Sequence, residues 1–172
     1  MKKVAVVMGS ASDLPVAREA LDTLREFGVP AAARVLSAHR TPDEAAAFAR
    51  EAAAAGYGAL IAIAGKAAHL AGFLAAYTAL PVIGVPVSGK DLGGLDALLS
   101  TAQMPKGVPV AAVAIDGGGN AALLAVRMLA LGEGELADKL ARHAQSMREK
   151  AAEADSAMHK EFESYEQAGA DL

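Results

Sequence analysis

The stretch "VAVVMGSASDLPVAREALDTLREFG", residues 4–28, predicts one complete β–α unit. Its first five residues form a continuous apolar run, which is typical of a strand buried on both faces in a parallel sheet. The helix that follows begins at Leu14 and Pro15 and ends at Gly28, because proline favours a first helical turn and glycine a helix end. The loop "GSASD" (9–13) joins the two elements.

Four similar units follow along the chain. Strands are predicted at 31–36, 59–64, 82–87 and 108–115, and helices at 42–55, 66–79, 94–103 and 120–131. A capping box of Thr41 and Glu44 is predicted to start the second helix, and Asn120 is predicted to cap the fifth. Five consecutive β–α units predict an α/β three-layer sandwich with a parallel sheet. Five strands are too few for an eight-stranded barrel.

The C-terminal part of the chain is more polar, and its composition predicts a helix of about 30 residues, or roughly 45 Å. This length exceeds the width of the domain, so we expect the helix to dock on another subunit through Leu136, Leu140 and Met147. A partly frayed, solvated tail is the alternative. The predicted organisation is a catalytic α/β domain at 1–132 and a helical, oligomer-packing extension of the same domain at 133–172.

Composition narrows the functional classes. The chain has 172 residues, of which 53% are hydrophobic and 4% aromatic, which predicts one closely packed aliphatic core. A net charge of −4 disfavours nucleic acid as a partner, and the absence of cysteine excludes disulfides and thiol catalysis. No apolar run approaches the ~20 residues of a membrane span. We therefore expect a soluble, cytoplasmic protein.

Ligands of doubly wound sheets bind at the carboxyl ends of the strands, where three loops of this chain carry polar groups. In the first, "GSASD" (9–13), the glycine, the serines and the free N–H groups of a helix start suit an anion such as phosphate. The same residues are also good helix-capping chemistry. The loop matches neither the dinucleotide pattern nor the Walker loop.

The second loop, "SAHR" (37–40), places His39 and Arg40 after the second strand. Arginine suits bidentate recognition of phosphate or carboxylate, and imidazole moves protons near neutral pH. The third loop, "GKAAHLAG" (65–72), brings His69 to the same edge of the sheet. These three side chains predict a site for proton transfer on an anionic ligand.

A metal site is the rival interpretation of a histidine pair. Only Asp13 offers a third ligand near His39 and His69, so we predict no metal. The two other histidines, His143 and His159, lie in the charged tail and are expected to be solvated.

The chain resembles the PurE family of N5-carboxyaminoimidazole ribonucleotide mutases of purine biosynthesis over about residues 3–131. The segments that carry the resemblance are "VVMGSASDLP", "VLSAHRTPDE", "AGKAAHLAGFLAAYTALPVIGVPV", "GLDALLSTAQMPKGVPVAAVAI" and "NAALLAVRMLAL". The resemblance implies a flavodoxin-like fold with a long C-terminal helix, a homo-octamer, a small nucleotide substrate, and neither cofactor nor metal. It leaves open a functional coupling to the synthetase that makes the substrate.

The resemblance also implies the reaction, which moves a carboxylate from exocyclic N5 to ring carbon C4 through released CO2. His39 matches the catalytic histidine, and Ser10, Asp13 and Arg40 match positions that bind the ribose and phosphate. The residues that match the wall of the family's CO2 pocket are Gly65, Ala67, Ala68, His69 and Leu70. The remaining substrate-binding candidates in the same three loops are Gly9, Ser12, Ser37, Ala38 and Lys66.

One departure from the family keeps an alternative open. At the loop 65–72, mutases usually have the sequence Gly-Gly-Ala-Ala-His-Leu-Pro-Gly. This chain has Lys66 in place of the second glycine and Ala71 in place of the proline. The sister class, which carboxylates aminoimidazole ribonucleotide directly with CO2, tends to have a basic residue at the position of Lys66. Arg40 and His69 favour the mutase.

Two other functional classes would also use these loops. A non-catalytic, flavodoxin-like nucleotide-binding module leaves both histidines without a role. A Ser/His/Asp hydrolase built from Ser10, His39 and Asp13 lacks the nucleophile elbow G-x-S-x-G.

Overall fold

The computed structural model describes residues 1–170 as a five-stranded, all-parallel sheet with helices on both faces. The strands are β1 (Lys3–Met8), β2 (Ala31–Val35), β3 (Tyr57–Gly65), β4 (Val82–Val87) and β5 (Ala111–Ala112). The helices are α1 (Leu14–Glu26), α2 (Pro42–Glu51), α3 (Leu70–Ala75), α4 (Leu95–Ala102), α5 (Gly118–Ala130) and α6 (Gly134–Ala170). The strand order β2-β1-β3-β4-β5 confirms the predicted flavodoxin-like α/β fold.

Alternate residues of the strands point into two separate cores, which makes the three layers. Val4 and Val6 of β1 pack with α1 and α5 on one side. Ala5 and Val7 pack with α2 and α3 on the other side. Small residues allow these layers to approach closely: a Cβ on Gly118 would collide with the backbone carbonyl of Val16 in α1.

The second helix ends at Glu51 rather than at 55, and two other predicted elements are much shorter than expected. The fifth strand pairs with β4 only at Ala111–Ala112; Pro109, which has no N–H to donate, lies just before this pairing. The helix predicted at 66–79 is limited to α3 and begins only at Leu70, because residues 66–69 form a loop in which Lys66 has a φ of 55°. That left-handed conformation does not continue a right-handed helix.

Thr41 is at the predicted N-cap position of α2 but forms no capping bond, and the predicted cap at Asn120 was wrong. The Thr41 hydroxyl bonds to the backbone of Ser37 instead. Asn120 lies inside α5, which begins two residues earlier at Gly118. A capping box occurs at Ser10 and Asp13, on the single 3-10 turn before α1.

The tail forms one helix of 37 residues, α6. Its first turns pack on the chain's own core: Leu136 is 0% exposed, and Leu140 packs against the same cluster. The expectation that these two leucines dock on a neighbouring subunit was therefore wrong, whereas Met147 is 59% exposed. The last two residues of the predicted extension, 171–172, lie outside the described part of the chain.

The two tail histidines differ. His143 is half-buried with its ring packed on Phe27, which corrects its assignment as solvated, whereas His159 is exposed. Among residues 1–170, none of the helices has the length and apolar character needed to cross a membrane.

Candidate active site

The sheet order places the candidate site. β1 lies between β2 and β3, so the chain connections diverge on either side of it and leave a crevice at the carboxyl ends of the strands. A cavity of about 600 Å³ occupies this crevice. It is lined by Gly9, Ser10, Ser12, Asp13, Ser37, Ala38, His39, Arg40, Ala64, Gly65, Lys66, Ala67, His69, Leu70, Val87, Ser88 and Gly89.

The three predicted loops therefore meet in one cavity. All the candidate residues line it except Ala68, which is buried. Sequence reasoning missed Ala64 in β3, Val87 at the end of β4, and Ser88 and Gly89 directly after it. The glycine-rich sequence "VSGKDLGG" (87–94) at a strand's carboxyl end was the signal that could have found the last three.

The first loop is organised around the Asp13 carboxylate. One of its oxygens accepts a hydrogen bond from the Ser10 N–H at 3.0 Å, and the other accepts one from the Ser12 hydroxyl at 3.3 Å. The Ser10 hydroxyl in turn accepts the Ser12 N–H. The helix-capping interpretation of "GSASD" is confirmed, and the capping bonds fix a loop that faces the cavity.

Asp13 is nearly fully buried, which is unusual for a carboxylate. Burial raises its pKa above the ordinary value, while the hydrogen bonds from Ser10 and Ser12 and the charge of Arg40 partly offset this rise. The ionised form is therefore held in place at some cost to the fold.

This cost predicts a pH-dependent effect of Asp13→Asn. Because the folded pKa is raised, the folded protein binds more protons than the unfolded chain between the ordinary and the raised pKa of this carboxyl. Wild-type protein loses stability as the pH rises through this window, and the variant lacks that loss. We expect the Tm difference, variant minus wild type, to increase with pH across the window in thermal unfolding. A difference that decreases with pH would contradict the role of burial.

The second loop is fixed by Ser37 and Thr41. The Ser37 hydroxyl accepts the N–H groups of His39 and Arg40 at 3.3 and 3.2 Å. The Thr41 hydroxyl accepts the Ser37 N–H at 2.8 Å and donates to the Ser37 carbonyl. These local bonds hold the turn that points the imidazole and the guanidinium into the cavity.

Arg40 joins the second loop to the first. Its Nη2 donates to the Gly9 carbonyl at 3.0 Å, which brings the guanidinium beside Ser10 and Asp13. An arginine has five N–H donors, so this single bond leaves donors for a ligand. The combination of a guanidinium and a helix start is suited to a phosphate.

His39 and His69 are in direct contact. His39 Nε2 and His69 Nδ1 are 2.8 Å apart, and the rings meet edge to face with centroids 5.0 Å apart. In a neutral pair one nitrogen donates and the other accepts, so one proton lies between two imidazoles that line the cavity. This arrangement can deliver a proton to a ligand and take one back.

The third loop carries a second cation. Lys66 lines the cavity and donates to Asp91 Oδ2 at 2.9 Å, and both side chains are exposed. The hydrogen bond and charge of Asp91 raise the pKa of Lys66, so its amine stays protonated. Exposed ion pairs of this kind contribute little to stability.

A metal centre finds no support in the described residues. Within residues 1–170, no group of three or more histidine, aspartate or glutamate side chains could hold a metal ion.

Comparisons with known proteins show which proteins this chain resembles. A family model described as AIR carboxylase matches residues 3–150. The N5-carboxyaminoimidazole ribonucleotide mutase of Saccharolobus solfataricus is 55% identical over 148 residues, covering 86% of this chain and 94% of that protein. The mutase of the same name from Mycobacterium tuberculosis is 60% identical over 127 residues, covering 74% and 73%. The crystal structure of Treponema denticola PurE matches with a TM-score of 0.82 at 33% identity, covering 89% of this chain and 96% of that one.

Proposed function

We propose that this chain, which belongs to the AIR carboxylase family, is an N5-carboxyaminoimidazole ribonucleotide mutase. It converts a nucleotide carboxylated on exocyclic N5 into its isomer carboxylated on ring carbon C4. The observation that carries the proposal is the hydrogen-bonded pair of His39 and His69 in a cavity that also holds an anion site.

The charged groups of the substrate determine its proposed orientation in the cavity. Its phosphate binds at Ser10 and Arg40 beside the start of α1, where N–H groups and a guanidinium are available. Its ribose hydroxyls donate to the Asp13 carboxylate. The imidazole ring then extends toward His39 and the loop at 65–69, whose small residues Gly65 and Ala67 leave room for a planar group.

The reaction needs only the movement of one proton. Protonated His39 gives a proton to N5, the N5–carboxylate bond breaks, and CO2 and an electron-rich aminoimidazole remain. C4 attacks the retained CO2 and forms the new carbon–carbon bond. Neutral His39 then removes the proton from C4, which restores aromaticity and the starting protonation state. Confinement of CO2 makes its recapture effectively unimolecular.

Direct carboxylation is the second candidate, and Lys66 is the observation that favours it. Lys66 places a cation in the lining of the cavity. The mutases that this chain resembles usually have glycine at this position. In that reaction free CO2 is the substrate, and the nucleotide enters uncarboxylated.

An assay of purified full-length protein separates the two. We expect rapid conversion of the N5-carboxylated nucleotide and little formation of the C4 product from the uncarboxylated nucleotide with bicarbonate. The reverse pattern would establish direct carboxylation. If the protein binds the nucleotide but converts neither substrate, the non-catalytic nucleotide-binding module would be the correct interpretation.

Arg40→Lys tests the phosphate site. The variant keeps the charge but loses the planar fork of donors, so we expect its Kd for the nucleotide to rise about tenfold, as for the loss of one charge-assisted hydrogen bond. Isothermal titration measures the change. Arg127→Lys, outside the cavity on α5, is the matched control. An unchanged Kd for Arg40→Lys would remove Arg40 from the phosphate site.

The catalytic unit is proposed to be residues 1–132, with the distal part of α6 serving assembly into a homo-octamer. The exposed side chains of Met147, Met158 and Phe162 on α6 support this role. Light scattering of the full chain and of one ending at residue 145 tests it, because the shorter chain keeps Leu136 in the core. An octamer that survives the truncation would exclude the distal helix from assembly. A cytoplasmic location and coupling to the synthetase that supplies the carbamate stay predictions.

A further inference from the structure

We propose that Lys66 selects carboxylated nucleotides, by exchanging its ion pair with Asp91 for the carboxylate of the ligand. The inference rests on the proposed function and adds a specificity determinant to it. It starts from the charges of the cavity: Asp13, Arg40 and Lys66 are its charged lining residues apart from the two histidines, within the described residues. Two of them are cations, and the proposed substrate carries two anionic groups.

The two cations come from different loops of the cavity and have different partners. Arg40 is tied to the Gly9 carbonyl of the β1 loop, where the phosphate binds. Lys66 is in the loop after β3, three residues before His69. The carboxylate that leaves N5 and arrives at C4 must lie near the histidines, so Lys66 is the cation positioned to meet it.

The present partner of Lys66 can be replaced. Asp91 does not line the cavity, and it lies in the loop between β4 and α4. The ion pair is largely exposed on both sides, with side-chain exposures of 77% and 71%. Water therefore screens it, and a carboxylate held inside the cavity by the rest of the ligand competes well with Asp91.

The backbone conformation at Lys66 also indicates that the lysine side chain has a role at this position. Its φ of 55° lies in the region that favours glycine, and the other described residues with positive φ are Asp116 and the glycines at 28, 56, 93, 94 and 107. A lysine there bears a conformational cost that a glycine would avoid. Residues held in this way are concentrated at ligand-binding sites.

The test compares the binding of two nucleotides, the C4-carboxylated product and its uncarboxylated counterpart, to four full-length proteins. Lys66→Met removes the charge and keeps a long side chain at the same backbone position, and Lys66→Arg keeps the charge. Asp91→Asn removes the competing carboxylate. We avoid Lys66→Gly, because it would also relieve the backbone.

With Lys66→Met we expect the Kd of the carboxylated nucleotide to rise at least about tenfold, while that of the uncarboxylated one stays within about twofold. Lys66→Arg should restore the preference, and Asp91→Asn should lower the Kd of the carboxylated nucleotide only. Equal changes for both nucleotides with Lys66→Met, or no change for either, would overturn the proposal. Failure of the proposed function is seen separately, as wild-type protein that binds neither nucleotide.

Discussion

Replacement of His39 by asparagine is expected to reduce turnover of the N5-carboxylated nucleotide by about 10²–10⁴-fold, the usual cost of losing a general acid–base group. Asparagine keeps a polar side chain, but it is too short to replace the Nε2 that contacts His69, and it cannot carry the proton from C4 to N5. The Kd of the nucleotide should change little, because the proposed sites of the phosphate and the ribose are at Arg40 and Asp13. Steady-state kinetics and isothermal titration measure the two effects.

The control for this change is His159→Asn, on the exposed part of α6, which should leave turnover unchanged. A His39→Asn variant with near-normal turnover would remove this imidazole from the mechanism. A variant with lost binding but normal kcat would make His39 a binding group instead.

Leu136→Ala is expected to lower the free energy of unfolding by about 2–5 kcal/mol, as for other fully buried leucines. Leu136 is 0% exposed and belongs to the core between β1, α1 and α5, although it is part of the tail helix α6. The alanine would leave a cavity in that core. Denaturant unfolding of the full chain measures the loss.

Leu131→Ala is the matched control, because Leu131 lies just before α6 and is 92% exposed. Its free energy of unfolding should change by no more than about 0.5 kcal/mol. If both variants were equally stable, the first turns of α6 would contribute nothing to the core, and the tail would be a separate element from residue 133 onward.

The sequence was sufficient for the parts of the fold that rest on local patterns. Continuous apolar runs predicted β1 and β4, and the alternation of strands and helices predicted a parallel sheet. Parallel strands place their carboxyl ends at one edge, so the meeting of the three loops also followed from the sequence.

Long-range packing was not available from local patterns. Leu136 was assigned to another subunit because the predicted helix is longer than the domain is wide, but one buried residue per turn is enough to attach the first turns of a helix to the core. The contact between His39 and His69 depends on the conformation of the segment 65–69. The residue with a left-handed backbone in this segment is a lysine, whereas a glycine there would have predicted a loop. The bonds from the Thr41 hydroxyl to Ser37 also competed with the predicted cap.

Transfer of the carboxyl group within a single bound nucleotide is tested most directly by following its carbon. The N5-carboxylated nucleotide would carry an isotopically labelled carboxyl carbon and react in a large excess of unlabelled bicarbonate, with the C4 product analysed by mass spectrometry early in the reaction. The account predicts that nearly all of the label is retained at C4, because the released CO2 is recaptured before it leaves the cavity at His39 and His69. A product that carries the unlabelled carbon of the bicarbonate pool would contradict it.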